Sequence, residues 1–268
     1  MNLPVIHLPS DYQPAKSQLA KRVILVTGAG QGLGRVAAKA FAAAGATVVL
    51  HGRNVAKLES VYDEIESAGG AQPAILPLDF AKTSQPEIDA FAQAIHAATG
   101  RLDGIFHAAS AFVSTMPLHL QDYSMWTTQC AVNLAVPACI TKACLPMLRR
   151  SADASVVFLS ETHAVLPKAY WGAFAVTRSS LDALVAVWSD ESEQTCLRFN
   201  LCLPSAVASP MRARSHPGET AASLMQPEDL AAHFVYLIGP DSAPITGALL
   251  DCQPAISGVA AATAAVAN

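Results

Sequence analysis
The run RVILVTGAGQGLGRVAAKAFAAAG, residues 22–45, constrains the fold more than any other stretch of the chain. After Arg22 it opens with Val23, Ile24, Leu25 and Val26, a short apolar segment suited to a strand buried on both faces. It then passes through a loop with glycines at 28, 30, 32 and 34, and continues into an Ala-rich amphipathic helix. That helix stops at Gly45, where a C-cap residue would stand. A second strand, ATVVLHG (46–52), follows directly. Strand, tight loop, helix and strand in this order form a βαβ unit, whose two strands must run parallel.

The rest of the chain repeats the alternation. Further strand-like segments lie at 73–80, 102–109, 154–160, 197–205 and 247–253, and further helical ones at 55–70, 85–100, 122–150, 172–190 and 227–239. In 55–70, Leu58, Val61 and Ile65 share one face; in 85–100, Ile88, Phe91 and Ile95 do. The pattern predicts an α/β fold: one domain with a doubly wound, seven-stranded parallel sheet and helices on both faces. The domain is expected over 21–253. Residues 1–20, with prolines at 4, 9 and 14, read as an N-terminal arm, and 254–268 as a loosely held, Ala-rich C-terminal tail.

Composition narrows the function classes. With 268 residues, 52% apolar and 14% charged, the chain can fill one large core and is not of the disordered type. A net charge of -4 supplies no electrostatic attraction to nucleic acid or to an anionic membrane. No uninterrupted apolar run reaches the ~20 residues of a bilayer span. The N-terminus lacks a basic segment followed by an apolar one, and the six cysteines form no C-x-x-C pair and stand at no metal-ligand spacing from a His. The expectation is a cytoplasmic protein with reduced thiols and no metal site.

Chemistry concentrates in TGAGQGLG (27–34). Gly28, Gly32 and Gly34 let a phosphate approach the backbone, and the helix that follows offers unpaired N–H groups and a positive dipole end. The other reading is a Gly-rich turn without a ligand; the strand before, the helix after and the second strand favour a dinucleotide. The second strand ends in LHGRN, with no carboxylate to hydrogen-bond an unphosphorylated ribose. Arg53 stands there instead, either as a solvated loop residue or as the partner of a 2′-phosphate, which would select NADP(H) over NAD(H). Asp79, at the end of the third strand, is either an adenine-edge contact or a turn aspartate.

Thr27, Gly28, Gly32, Leu33 and Gly34 match the T-G-x-x-x-G-x-G motif, and the chain from about 21 to 253 resembles the short-chain dehydrogenase/reductase family. HGRN, RLDGIFHAA and WGAFAVTR resemble one bacterial oxidoreductase subgroup within it. The resemblance implies a Rossmann fold, an NADP(H) cofactor and oxidoreductase activity. It implies that Asn133 sits at a proton-relay position, and that Pro204, Ser205 and Ser209 occupy the segment where the family has Pro-Gly and a Thr, so that Pro204 and Ser209 would line the cofactor. It also implies a homodimer or homotetramer through the fourth and fifth helices, whose Leu134, Ile140, Leu145, Leu181, Leu184 and Val187 exceed what one sheet-facing side would use.

The family's reacting residues are a Tyr, a Lys four residues on and a Ser thirteen before the Tyr. Here those positions hold Phe174, Arg178 and Glu161, and the family's Asn-Asn-Ala-Gly reads His107, Ala108, Ala109 and Ser110. Phe174 has no proton to give, whereas general acid–base catalysis contributes ~10²–10⁴-fold. Arg178 keeps a charge able to bind ribose hydroxyls, and a Glu161–Arg178 ion pair would plug the old site. Glu161, His163, Tyr170 or His107 could instead replace the lost acid. Two functions remain open from the residues: an NADP(H)-dependent oxidoreductase with an atypical site, and a catalytically inactive NADP(H)-binding sensor or scaffold. The segment 214–226, where the family places a substrate lid, carries no recognisable specificity signal.

Overall fold
The computed structural model describes residues 3–253. The chain alternates β1 (Val5–Ile6), β2 (Val23–Thr27), α1 (Gly32–Ala43), β3 (Thr47–Gly52), α2 (Val55–Ser67), β4 (Ala74–Pro77), α3 (Gln85–Thr99) and β5 (Gly104–His107). It continues with α4 (Tyr123–Cys130), α5 (Val136–Leu148), β6 (Ala154–Leu159), α6 (Thr162–Val165), α7 (Gly172–Glu191), β7 (Leu197–Leu203), α8 (Pro210–Ser215), α9 (Ala231–Ile238) and β8 (Ala248–Asp251). All strand pairs are parallel, in the order β1-β8-β7-β6-β5-β2-β3-β4.

The sheet has eight strands where seven were expected. The extra one comes from the segment read as an arm: Val5 and Ile6 pair with Leu249 and Leu250 at the edge of β8. A two-residue strand is too short for an alternation signal, and the backbone of β8 supplies the partner that makes it a strand. The Ala-rich segment 254–268 lies outside the described residues.

Both faces of the sheet are covered, which is why β2, β6 and β7 are buried along their whole length. One layer packs Phe41 of α1, Leu58, Val61 and Ile65 of α2, and Phe234 of α9 onto the sheet. The other packs Ile88 and Phe91 of α3, Ile140 of α5 and Leu181 of α7. Local chemistry sets the helix ends: Asn54 caps α2 through the Lys57 N–H, Ser84 and Glu87 form a capping box on α3, and Gly100 closes it in a left-handed turn.

The helix expected over 122–150 is interrupted by a π-turn at Ala131–Ala135. Pro137 has no N–H to give the Asn133 carbonyl, so the regular ladder cannot pass through this point. The 26-residue span Tyr123–Leu148 holds an 18-residue window of mean hydropathy 1.5, apolar enough by length and composition to cross a membrane, although polar residues interrupt it and no unbroken apolar run reaches ~20 residues. In the fold its α5 half packs against α3 and β5.

The strand order places β3 and β4 on one side of β2 and β5 on the other, so the chain reverses direction between β2 and β5. In open parallel sheets this reversal opens a crevice beyond the carboxyl ends of the strands. At the opposite end of the strands Arg22 and Arg198 share Asp153, and Asp103 accepts from Arg101, Ser151 and the Val23 N–H. These ties join β2, β5, β6 and β7 away from the crevice.

Candidate functional site
A cleft of about 760 Å³ lies over the β2/β5 reversal. The glycine loop forms its floor at one end. Gly28 has φ +72°, and a Cβ there would stand 2.9 Å from the Ala109 Cα. A Cβ on Gly34 would stand 2.3 Å from the Gly28 carbonyl oxygen. Only glycine lets the loop fold this tightly between β2, β5 and α1. The first turn of α1 has no side-chain cap from Gln31 and no acidic residue, so its N–H groups remain available to an anion.

Arg53, Asn54 and Lys57 line the cleft where β3 ends. Arg53 makes no hydrogen bond or ion pair among the described residues, while Lys57 donates to Gln31 Oε1 at 2.5 Å. Asp79 also lines the cleft, and its carboxylate accepts from the Ala81 N–H at 3.1 Å, so the turn role is real and the residue still faces the cavity. Leu33, Pro204, Ser205 and Ser209 line it as well. Ser209 caps α8 by accepting from the Arg212 N–H.

Two expected site residues stand behind the wall. Thr27 is fully buried, and its hydroxyl accepts from the Ala109 N–H. Asn133, in the π-turn, accepts from the Ala111 N–H at 2.8 Å and donates to the Ala111 carbonyl and to Thr177. Both hold the segment after β5 in place. Polar residues beside a cleft and polar residues lining it look alike in sequence, because only packing decides which way they face.

At the other end of the cleft stand Glu161, Phe174 and Arg178. Phe174 is 2% exposed and packs with Phe112, Trp171 and Ala175. Arg178 is buried, donates to the Leu159 carbonyl at 2.8 Å and to the Ala109 carbonyl at 3.1 Å, and leaves its Nε without a partner. Burial pushes its guanidinium down to about 10, with the nearby Glu161 charge acting in the opposite direction. The expected Glu161–Arg178 ion pair is not formed. Glu161 instead accepts from the His163 N–H at 2.6 Å, capping α6, and the fork of Arg178 is taken up by strand-end carbonyls that would otherwise be buried without donors.

The alternative acids separate clearly. His107 ends β5 rather than lying on a loop; it is buried and donates from Nε2 to Thr141, whose hydroxyl is committed to the Pro137 carbonyl. His163 faces Trp171, with ring centroids 4.0 Å apart, and does not line the cleft. Tyr170 has φ +75°, is 58% exposed and stands outside α7, which begins at Gly172 with Gln121 accepting from the Ala173 N–H. Glu161 alone of the four lines the cavity.

Residues 22–220 match the short chain dehydrogenase family. The chain belongs to that family. It is 36% identical over 243 residues to the uncharacterized oxidoreductase YciK of Escherichia coli K12, covering 91% of this chain and 96% of YciK. A short chain dehydrogenase from Shigella flexneri 2a complexed with NADP superposes with a TM-score of 0.87 at 35% identity, covering 90% of this chain and all of that one. One from Escherichia coli CFT073 complexed with NADPH gives a TM-score of 0.87 at 36% identity, with 90% and 100% covered. The likeness to a bacterial oxidoreductase subgroup therefore holds, and so does the family's fold.

Three residues of this short chain dehydrogenase cleft carried no signal in the sequence. Lys57 extends the cation of Arg53 because α2 starts immediately after it. Phe112 and Arg214 meet at the end of the cleft that holds Glu161, Phe174 and Arg178, the guanidinium 5.8 Å from the ring centroid. Their spacing along the chain has no periodicity to betray the contact.

Proposed function
We propose that the chain is an NADP(H)-dependent oxidoreductase acting on a small carbonyl or alcohol substrate, with Glu161, Phe174 and Arg178 at the positions where the family has Ser, Tyr and Lys. The observation that carries the reading is the open cradle: a glycine loop too tight for any Cβ at Gly34, leading to the uncapped first turn of α1, with the unpaired Arg53 where β3 ends. These groups suit a pyrophosphate at the loop and a 2′-phosphate at Arg53 and Lys57. Relatives of the same fold complexed with NADP and NADPH support it.

When bound, the nicotinamide supplies or accepts a hydride. The chain's own residues would do the rest. Arg178, anchored on two carbonyls, presents positive charge at the reaction end without exchanging protons, since a guanidinium stays charged. Phe174 closes the wall against water. Glu161 is the proton-handling group of the proposal, because it lines the cavity where His107, His163 and Tyr170 do not. Asn133 and Thr27 are positioning residues for the segment after β5. Assembly through the long helices fits the exposed Val176 and Val187 on α7.

The test is a calorimetric titration with NADPH and NADH, followed by turnover on a carbonyl panel. Tighter binding of NADPH, lost on Arg53→Ala while NADH binding persists, supports the reading. Binding of neither dinucleotide overturns it. Binding of NADPH without turnover on any carbonyl or alcohol would leave a cofactor sensor instead.

A further inference from the structure
The residues at the reaction end describe the substrate. Helix α8 runs along the cleft: Pro210, at its start, lies 3.8 Å from where a Cβ on Gly32 would be, beside the glycine loop. Arg214, one turn later, lies over Phe112, which belongs to the aromatic group of Trp171 and Phe174. So Arg214 stands at the end of α8 away from the loop that suits a pyrophosphate.

The charges around it are otherwise matched. Arg212, two residues earlier, is held by Glu219 through two hydrogen bonds of 2.6 Å each. The charges of Glu161 and Arg178 offset one another across the same cavity, and both are tied to backbone groups. Arg214 lines the cleft and has no ion pair or hydrogen bond among the described residues. Its contact with Phe112 holds the guanidinium over an apolar wall made by Phe112, Val113, Phe174 and Met211. An apolar wall with one unmatched cation at its rim suits a ligand with an apolar body and one anionic end. A guanidinium pairs with a carboxylate through two parallel hydrogen bonds.

We propose that Arg214 anchors the carboxylate of the substrate, which is a carbonyl compound bearing a carboxylate group, its apolar body lying against the wall of Phe112, Val113, Phe174 and Met211. The inference rests on the oxidoreductase reading of the cleft. It makes Arg214 a specificity residue that acts on binding of the substrate and not on the dinucleotide.

The experiment titrates 4-acetylbenzoate and the uncharged acetophenone into the protein, with and without saturating NADPH, by calorimetry and by Trp171 fluorescence. The expected result is binding of 4-acetylbenzoate at least ~10-fold tighter than acetophenone, the size of one charge-assisted pair. Arg214→Gln should erase the difference, Arg214→Lys should restore part of it, and the NADPH affinity of both variants should match that of the parent. Equal affinity for the two ligands overturns the proposal, as does a preference that survives in Arg214→Gln. A loss of NADPH affinity in Arg214→Gln, with the carboxylate preference intact, would assign the residue to the dinucleotide and also overturn it. If NADPH does not bind the parent protein, the oxidoreductase reading fails by itself, and the titrations without NADPH still decide the role of Arg214.

Discussion

Arg178 donates to the Leu159 carbonyl at the end of β6 across 2.8 Å, and with the second arm of the same fork to Ala109 beyond the end of β5. One side chain of α7 therefore ties the end of β6 to the segment after β5, beneath the Glu161 end of the cleft. A lysine ammonium keeps the charge but cannot reproduce the planar fork. Arg178→Lys is expected to lose ~1–3 kcal/mol, because a buried carbonyl is left without its donor. Urea denaturation checks this; an unchanged midpoint would mean that water replaces the arginine at no cost.

Glu161→Gln preserves an oxygen able to accept from the His163 N–H, so the turn into α6 should survive. What disappears is the titratable group. Turnover is expected to fall ~10²-fold or more while NADPH affinity is retained. Full activity in this variant would remove Glu161 from proton transfer. The complementary triple variant, Phe174→Tyr with Arg178→Lys and Glu161→Ser, is expected to reduce simple ketones; an NADPH-binding but inert protein would show that more than these three groups is missing.

The closest approach in the glycine loop makes another test. Gly34→Ala would force a methyl group to 2.3 Å from the Gly28 carbonyl oxygen, against backbone that cannot swing aside. Overpacking of this kind costs ~1–3 kcal/mol and should displace the loop. A lower thermal midpoint and loss of dinucleotide binding are expected together. Normal NADPH affinity in this variant would remove the loop from the binding site.

Three buried groups give the fold a common pH dependence. Burial pushes His51 down to about 4, opposed by its hydrogen bond to the Leu78 carbonyl. Burial, then the nearby His51 and Arg178, pushes His107 down to about 3. Burial alone would raise the Asp103 carboxyl, but hydrogen bonds from Arg101, the Val23 N–H and Ser151 together hold it below its ordinary value. In each case the unfolded chain takes up the proton first as pH falls. The histidine contributions are complete above the ordinary value of ~6.5 and are lost on descent toward the folded values; that of Asp103 is lost lower, as pH falls through its depressed folded value. The protein should be ~2–3 kcal/mol less stable at pH 5.5 than at pH 7.5, and His107→Gln should remove about half of that difference. A flat profile from denaturant titrations at the two pH values would contradict it.

The architecture was readable because it rests on local patterns. Short apolar runs, amphipathic helices and the spacing of Gly28, Gly32 and Gly34 are properties of neighbouring residues, and backbone sterics convert them into strands, helices and a turn. The place of Arg53 beside the cleft was legible for the same reason, since it follows the second strand at a fixed offset. The edge strand at Val5–Ile6 was not, because two residues form a strand only when β8 is there to pair with them.

The end of the cleft that holds Glu161, Phe174 and Arg178 depended on packing. The identities of Glu161, Phe174 and Arg178 were written in the chain, but their partners were not: the arginine turned to carbonyls of Leu159 and Ala109, and the carboxylate to the His163 N–H. Which residue met Arg214 was likewise undecided until α8 lay across Phe112. Hydrogen bonds and ring contacts between residues far apart in sequence are set by where the sheet and its helices bring the side chains. The sequence determined a parallel α/β domain with a glycine loop after its first long strand; the tertiary structure decided which charges are matched, which are free, and which face the cavity.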